Sequence, residues 1–182
     1  MDELLQSTLL KVAAPVFAIV VVLGISRLRG ISWRDDLGLR KPKLSAALGW
    51  LGFWIVWMAA SEVVIRVFGI EQPRAWPEYP PLIVALRIAA IGVLGPFAEE
   101  IVMRGAVLHR LQKAGVRVLG AIVIVAVIWA VLHYRYEPAL VALIALDGVV
   151  LGLARVYGGS LWLPIAMHTL ANLISIYQSN SG

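Results

Sequence analysis

The chain has no cysteine among its 182 residues. That absence excludes disulfides, thiolate metal sites and a cysteine nucleophile, and it leaves the redox compartment open. Charge is scarce too: only 15% of the residues are Asp, Glu, Lys or Arg. No internal repeat or low-complexity tract interrupts the chain. A basic segment ahead of the first apolar run is also missing, because Asp2 and Glu3 stand there, and no small-residue cleavage site follows that run. The run, about Leu9 to Ile25, is therefore expected to be a retained span rather than a cleaved signal.

What fills the chain instead is apolar. Hydrophobic residues make up 60% and the mean hydropathy is +0.85, far outside the composition of soluble domains. The expected fold is an all-α polytopic membrane bundle, a single membrane domain over 1–182, since an open sheet cannot satisfy its backbone in lipid. At roughly 20 apolar residues per span, the length supplies about six transmembrane helices. The runs place them near 9–25, 44–68, 82–108, 118–133, 139–156 and 160–178. Gly95-Pro96 interrupts the third and predicts a kink or a fresh helix start at Pro96. Gln178 to Gly182 reads as a frayed tail.

The net charge of +5 does not point to nucleic acid, because the basic residues sit in short loops rather than on an amphipathic face. The Arg27–Lys43 loop carries Arg27, Arg29, Arg34, Arg40, Lys41 and Lys43, and His109–Arg117 carries Arg110, Lys113 and Arg117. Both are expected to be cytoplasmic, with the turn at Arg155–Gly159 on the same side and both termini outside the cell membrane. Gly69–Pro81 and Tyr134–Pro138, poorer in Lys and Arg, face outward. Trp33, Trp50, Trp76 and Tyr79 lie near span ends, where amphipathic rings favour the headgroup zone.

Against this background the buried polar residues stand out. Glu99 and Glu100 are adjacent carboxylates inside an apolar run, each of which must be paired, neutralised or exposed to a water-filled cavity. Glu100 and Arg104 share one helical face at the spacing of an ion pair, and Glu99 points about 100° away. Glu99 can thus be a general base while Glu100 and Arg104 hold the helix, or the pair is a structural lock with Glu99 facing a polar loop. His133 closes the fourth run one turn after Trp129; alone it reads as an interfacial residue. His168 and Asn172 share a face half a span into the sixth run, and serve as helix glue or as donors to an oxyanion. No Ser or Asp completes a triad with these groups, which favours direct attack by water.

At these residues the chain resembles the CPBP family of CAAX protease and bacteriocin-processing membrane enzymes, also called Abi. Its three motifs stand here as Glu99-Glu100-Ile101-Val102-Met103-Arg104, Trp129-Ala130-Val131-Leu132-His133 and His168-Thr169-Leu170-Ala171-Asn172. The surroundings are also similar: Pro96 before the glutamates, Gly105 after the Arg, and the Gly159–His168 stretch. The resemblance covers about 90–178. Trp129 replaces the family's usual Phe, and Met103 stands where an aromatic often precedes the Arg; both read as packing positions.

The resemblance implies an intramembrane endopeptidase in which Glu99 with His133 activates water, His168 with Asn172 holds the oxyanion, and Glu100 and Arg104 support them. It implies a metal-free glutamic peptidase that requires no cofactor; a zinc site from two His and a Glu is the other reading, although the compact His-Glu-x-x-His helix of zincins is missing. The implied partner is a membrane-associated protein or peptide, cleaved at a prenylated tail, a bacteriocin leader or a C-terminal sorting tail. Helical rise from the basic loop puts Glu99 and His133 in the outer half, whereas CAAX endopeptidases act on cytosolic tails. Two other classes remain: a non-enzymatic immunity or scaffold protein, and a small proton-coupled transporter using Glu99, Glu100 and Asp147.

Elsewhere, Glu62 and Arg66 are expected to pair locally. Asp147 is expected to meet either a catalytic His or a neighbouring helix. Gly148 and Gly152 form a small-residue face for close helix packing. His109 is assigned no role.

Overall fold

The computed structural model describes residues 2–72, 76 and 78–180. Six helices account for the apolar runs: α1 (Asp2–Leu28), α2 (Leu44–Phe68), α3 (Pro81–Lys113), α4 (Val118–Val131), α5 (Pro138–Tyr157) and α6 (Trp162–Asn180). Among the described residues there is no strand, as the need to satisfy every backbone group within lipid requires. Helices α1, α2, α3 and α5 are long and apolar enough to cross a bilayer, and the protein is a multi-pass membrane protein.

The remaining two differ from the expected full spans. With 14 residues, α4 falls short of the roughly 20 that a crossing needs. The chain leaves it at Leu132 and turns through Tyr134 and Tyr136. Helix α6 has 19 residues but is interrupted by His168, Asn172 and Ser175.

Helix ends follow their sequence. Pro81 and Pro138 occupy first helical positions, where a missing N–H loses no bond. Gly69, at φ +61°, closes α2 while the Ile70 N–H reaches back to the Ile65 carbonyl at 2.9 Å. At the other end of the chain, α6 stays helical through Asn180, whose carboxamide accepts the Trp76 N–H at 3.0 Å and donates to the Ile176 carbonyl at 2.7 Å. The fray expected from Gln178 is therefore corrected as far as Asn180. Ser181 and Gly182, like residues 73–75 and 77 of the expected outer loop, lie outside the described residues.

Pro96 does not break α3. Two stretches of the helix, Ile88–Leu94 and Ile101–Val107, are wound as π-helix, and the Gly95 N–H donates to Ala90, five residues back. The wider winding takes up the loss of the Pro96 N–H within a continuous helix, and regular α-helical winding starts afresh at Gly95 with Pro96 in its first turn, the second of the two outcomes expected.

The core forms where α4 and α5 meet α2, α3 and α6, around Trp54, Ile122, Val125, Trp129, Leu151 and Met167. Gly148 and Gly152 make the α4–α5 approach close: a Cβ on Gly148 would stand 2.9 Å from Ala126 Cβ, and one on Gly152 would stand 2.7 Å from Ile122 Cγ2. A smaller cluster, Ile101, Leu161 and Ile165, seats α1 through Ile19, Val22 and Leu23.

Candidate active site

The middle of α3 carries Glu99 and Glu100 on different faces, and the surrounding helices treat them differently. Glu100 is fully buried. Its Oε1 accepts from Arg104 Nη1 at 2.8 Å and lies 3.0 Å from His168 Nδ1 on α6. Arg104, also buried, donates through Nη2 to the Gly148 carbonyl of α5 at 3.2 Å and lies 4.6 Å from the centre of the Trp129 ring. One ion pair thus ties three helices together. Glu100 Oε2 and Arg104 Nε are buried without a partner among the described residues.

Glu99 instead lines a cavity of about 550 Å³, together with Trp129, His133, Asp147, His168 and Asn172. Its Oε2 accepts from Trp129 Nε1 at 2.6 Å, which leaves Oε1 for the cavity. The cavity is within the size range of pockets that enclose small ligands. Trp129 is therefore more than the packing residue its motif position predicts. Its indole donates to Glu99, its face meets Arg104, and its ring lies edge-on to His133 at 5.3 Å and to His168 at 5.1 Å. A phenylalanine there would supply the packing but no donor.

The two histidines are oriented through their Nδ1 atoms. His133 Nδ1 lies 3.0 Å from the Trp129 carbonyl, and because a carbonyl only accepts, that partner assigns the proton to Nδ1 and leaves a lone pair on Nε2. His168 Nδ1 faces the Glu100 carboxylate, so its Nε2 also stays free. Asn172, one turn beyond, donates through Nδ2 to the Ile91 carbonyl at 2.9 Å. The underwound helix explains that bond: Gly95 N–H goes to Ala90, and Pro96, the next residue on, has no N–H to give Ile91. Asn172 fills the gap with one amide hydrogen and keeps the other.

The structure thus brings Glu99, Glu100, Arg104, His133, His168 and Asn172 around one centre. Asp147 joins the cavity wall through the helix-to-helix alternative, accepting from Trp57 Nε1 of α2 at 2.7 Å. Glu62 and Arg66 pair on α2, with Arg66 exposed and Glu62 half-buried at the cavity wall, and His109 lies 3.9 Å from Asp36, away from the site.

Three residues, Trp54, Trp57 and Arg87, have no counterpart in the sequence reading, and a fourth, Trp129, was read there only as a packing position. Trp57 and Trp129 act through indole N–H groups, and Trp54 Nε1 donates to the Met167 carbonyl beside His168 at 2.7 Å. The signal for Trp54 and Trp57 was a pair of tryptophans in the middle of a span rather than at its ends. The third is Arg87, buried in α3 and held by Thr8 and Ser7 hydroxyls of α1 at 3.1 and 3.0 Å. A lone Arg within an apolar run marks it.

Among the described residues, no group of three or more His, Asp or Glu side chains is arranged to hold an ion.

Comparison with known proteins agrees with this picture. The family described as type II CAAX prenyl endopeptidase Rce1-like matches residues 80–174, the segment from the start of α3 through Asn172. No curated protein and no solved structure matches the chain. The family match spans over half of the 182 residues, and the protein belongs to the Rce1-like CAAX prenyl endopeptidases, a family of intramembrane hydrolases.

Proposed function

We propose that the protein is a glutamate-dependent endopeptidase in which Glu99 activates the attacking water. The observation that carries this reading is the separation of the two carboxylates: Glu100 is enclosed by Arg104 and His168, whereas Glu99 reaches the cavity with one oxygen fixed by Trp129. A general base needs a free oxygen in a defined direction, and fixing the other oxygen supplies that direction.

In this mechanism the water lies between Glu99 Oε1 and His133 Nε2. It attacks the substrate carbonyl carbon and its proton passes to Glu99. The oxyanion that forms accepts from the second Asn172 amide hydrogen and from His168 Nε2, protonated when the ring carries both protons beside Glu100. Collapse breaks the C–N bond, Glu99 returns the proton to the amine, and the products are a carboxylic acid and an amine. Glu100 and Arg104 position His168 and α3 without touching substrate. No step requires a metal.

The substrate is a membrane-associated protein or peptide cleaved in a tail or leader that can enter the cavity between the helices. The test is cleavage of such peptides by purified protein in detergent, wild type against Glu99→Gln, with and without a strong chelator. Glu99→Gln is expected to lower kcat by about 10²- to 10⁴-fold, the range of general acid–base catalysis, with the thermal midpoint unmoved and wild-type activity indifferent to chelation. Activity that survives the substitution, or that chelation abolishes, overturns the mechanism.

A further inference from the structure

The two ends of the bundle are built differently. At one end lies the Arg27–Lys43 connection, the richest stretch of basic residues in the chain. It is fastened across the helix ends. The Leu161 N–H donates to the Gly38 carbonyl at 2.7 Å, Arg40 Nε to the Gly159 carbonyl at 2.6 Å, and Arg155 Nη2 to the Asp36 carbonyl at 3.2 Å. Leu37 sits beneath it with no exposed surface, in contact range of Gly105. This end is sealed, and none of residues 29–43, 114–117 or 158–161 lines the cavity.

At the other end the cavity wall continues to the connections and to the tip of α6. Gln72, Trp76, Tyr136, Gln178 and Ser179 all line it. The connections there brace one another around the opening, with the Trp76 N–H on Asn180 Oδ1 and the Glu71 N–H on Glu137 Oε2 at 2.6 Å. The passage from Glu99 and His133 to the surface therefore runs away from the basic loop.

Short loops rich in Lys and Arg stay on the cytoplasmic side of a membrane. We infer that the cavity opens to the extracytoplasmic face, so that the substrate is a peptide segment presented there, such as the tail or leader of an exported protein, and not a cytosolic tail. The identification of that segment as a substrate rests on the peptidase reading; the direction of the opening does not. On this inference Glu99 stands in the outer half, as helical rise from the basic loop also has it, and the cytosolic tails implied by resemblance do not apply.

The absence of cysteine permits a direct test. Single variants Gln178→Cys at the rim, Met58→Cys on the cavity wall and Lys113→Cys at the basic end are treated in intact cells with a membrane-impermeant maleimide, then again after permeabilisation. Gln178→Cys and Met58→Cys are expected to label in intact cells, and Lys113→Cys only after permeabilisation. Labelling of Lys113→Cys in intact cells, or of Gln178→Cys only after permeabilisation, overturns the orientation. Failure of Met58→Cys to label under either condition, while Gln178→Cys labels, overturns the opening. Labelling reads access and not turnover, so the expected pattern without any peptide cleavage would leave this inference standing and remove only the peptidase reading.

Discussion

On one side of α3 Glu100 is sealed among Arg104, His168 and the α5 backbone; on the other, one residue earlier, Glu99 faces a cavity with a single indole donor. The two share a chemistry and differ in surroundings because successive helical residues point about 100° apart. The sealed side stabilises a charge by enclosing it with an opposite one, and it holds α3, α5 and α6 in register. The open side keeps a carboxylate available. The comparison teaches that adjacent acids in a membrane helix need not form a pair: one can organise the protein around the other.

The strongest way to break the sealed side is Arg104→Met, which leaves Glu100 buried and uncompensated. Loss of one partner of a buried ion pair costs about 3–5 kcal/mol, and a marked fall in the thermal midpoint in detergent is the expected result. An unchanged midpoint would show that the enclosure contributes little. The open side is tested more gently by Trp129→Phe, which keeps the ring and removes the donor to Glu99. A hydrogen bond to a charged group contributes about 1.5–3 kcal/mol to stability, so a lower thermal midpoint is expected together with a fall in kcat as Glu99 loses its fixed direction, with KM little changed. A rise in KM alone would make Trp129 a substrate contact instead. The smallest effect is expected from Arg66→Gln, which removes the exposed partner of Glu62 on α2. Exposed helix pairs contribute about 0.3–0.5 kcal/mol, so both the midpoint and turnover should stay within error, and a clear loss of activity would extend the reactive side to that face.

How much of this was legible in the sequence follows the distance over which each feature is encoded. The Glu100–Arg104 pair, the shared face of His168 and Asn172, and the close packing at Gly148 and Gly152 are local regularities of a helix, and all three were read from spacing. Helix positions followed from apolar runs for the same reason. The partners across helices were not legible: nothing in spacing links Trp129 to Glu99, His168 to Glu100, or Asn172 to the Ile91 carbonyl. The effect of Pro96 was left between a kink and a fresh helix start because a missing hydrogen bond can be met in more than one way, and the outcome depends on whether a donor such as Asn172 waits on a neighbouring helix. The Leu37 seal, lodged in a loop read only for its charge, depends on contacts more than a hundred residues away in the chain.

The brevity of α4 has a consequence for the lipid around it. At 1.5 Å per residue its 14 residues reach about 21 Å, against a hydrocarbon thickness of about 30 Å. Beside this helix the mismatch is met by a thinner bilayer or by flanking residues that snorkel to the interface, at a cost of fractions of a kcal/mol per ångström. The polar headgroups and their water are thereby drawn down toward His133, just past the helix end. Acyl-chain length is therefore expected to alter how easily water reaches the site, which turnover in vesicles of shorter and longer lipids would read.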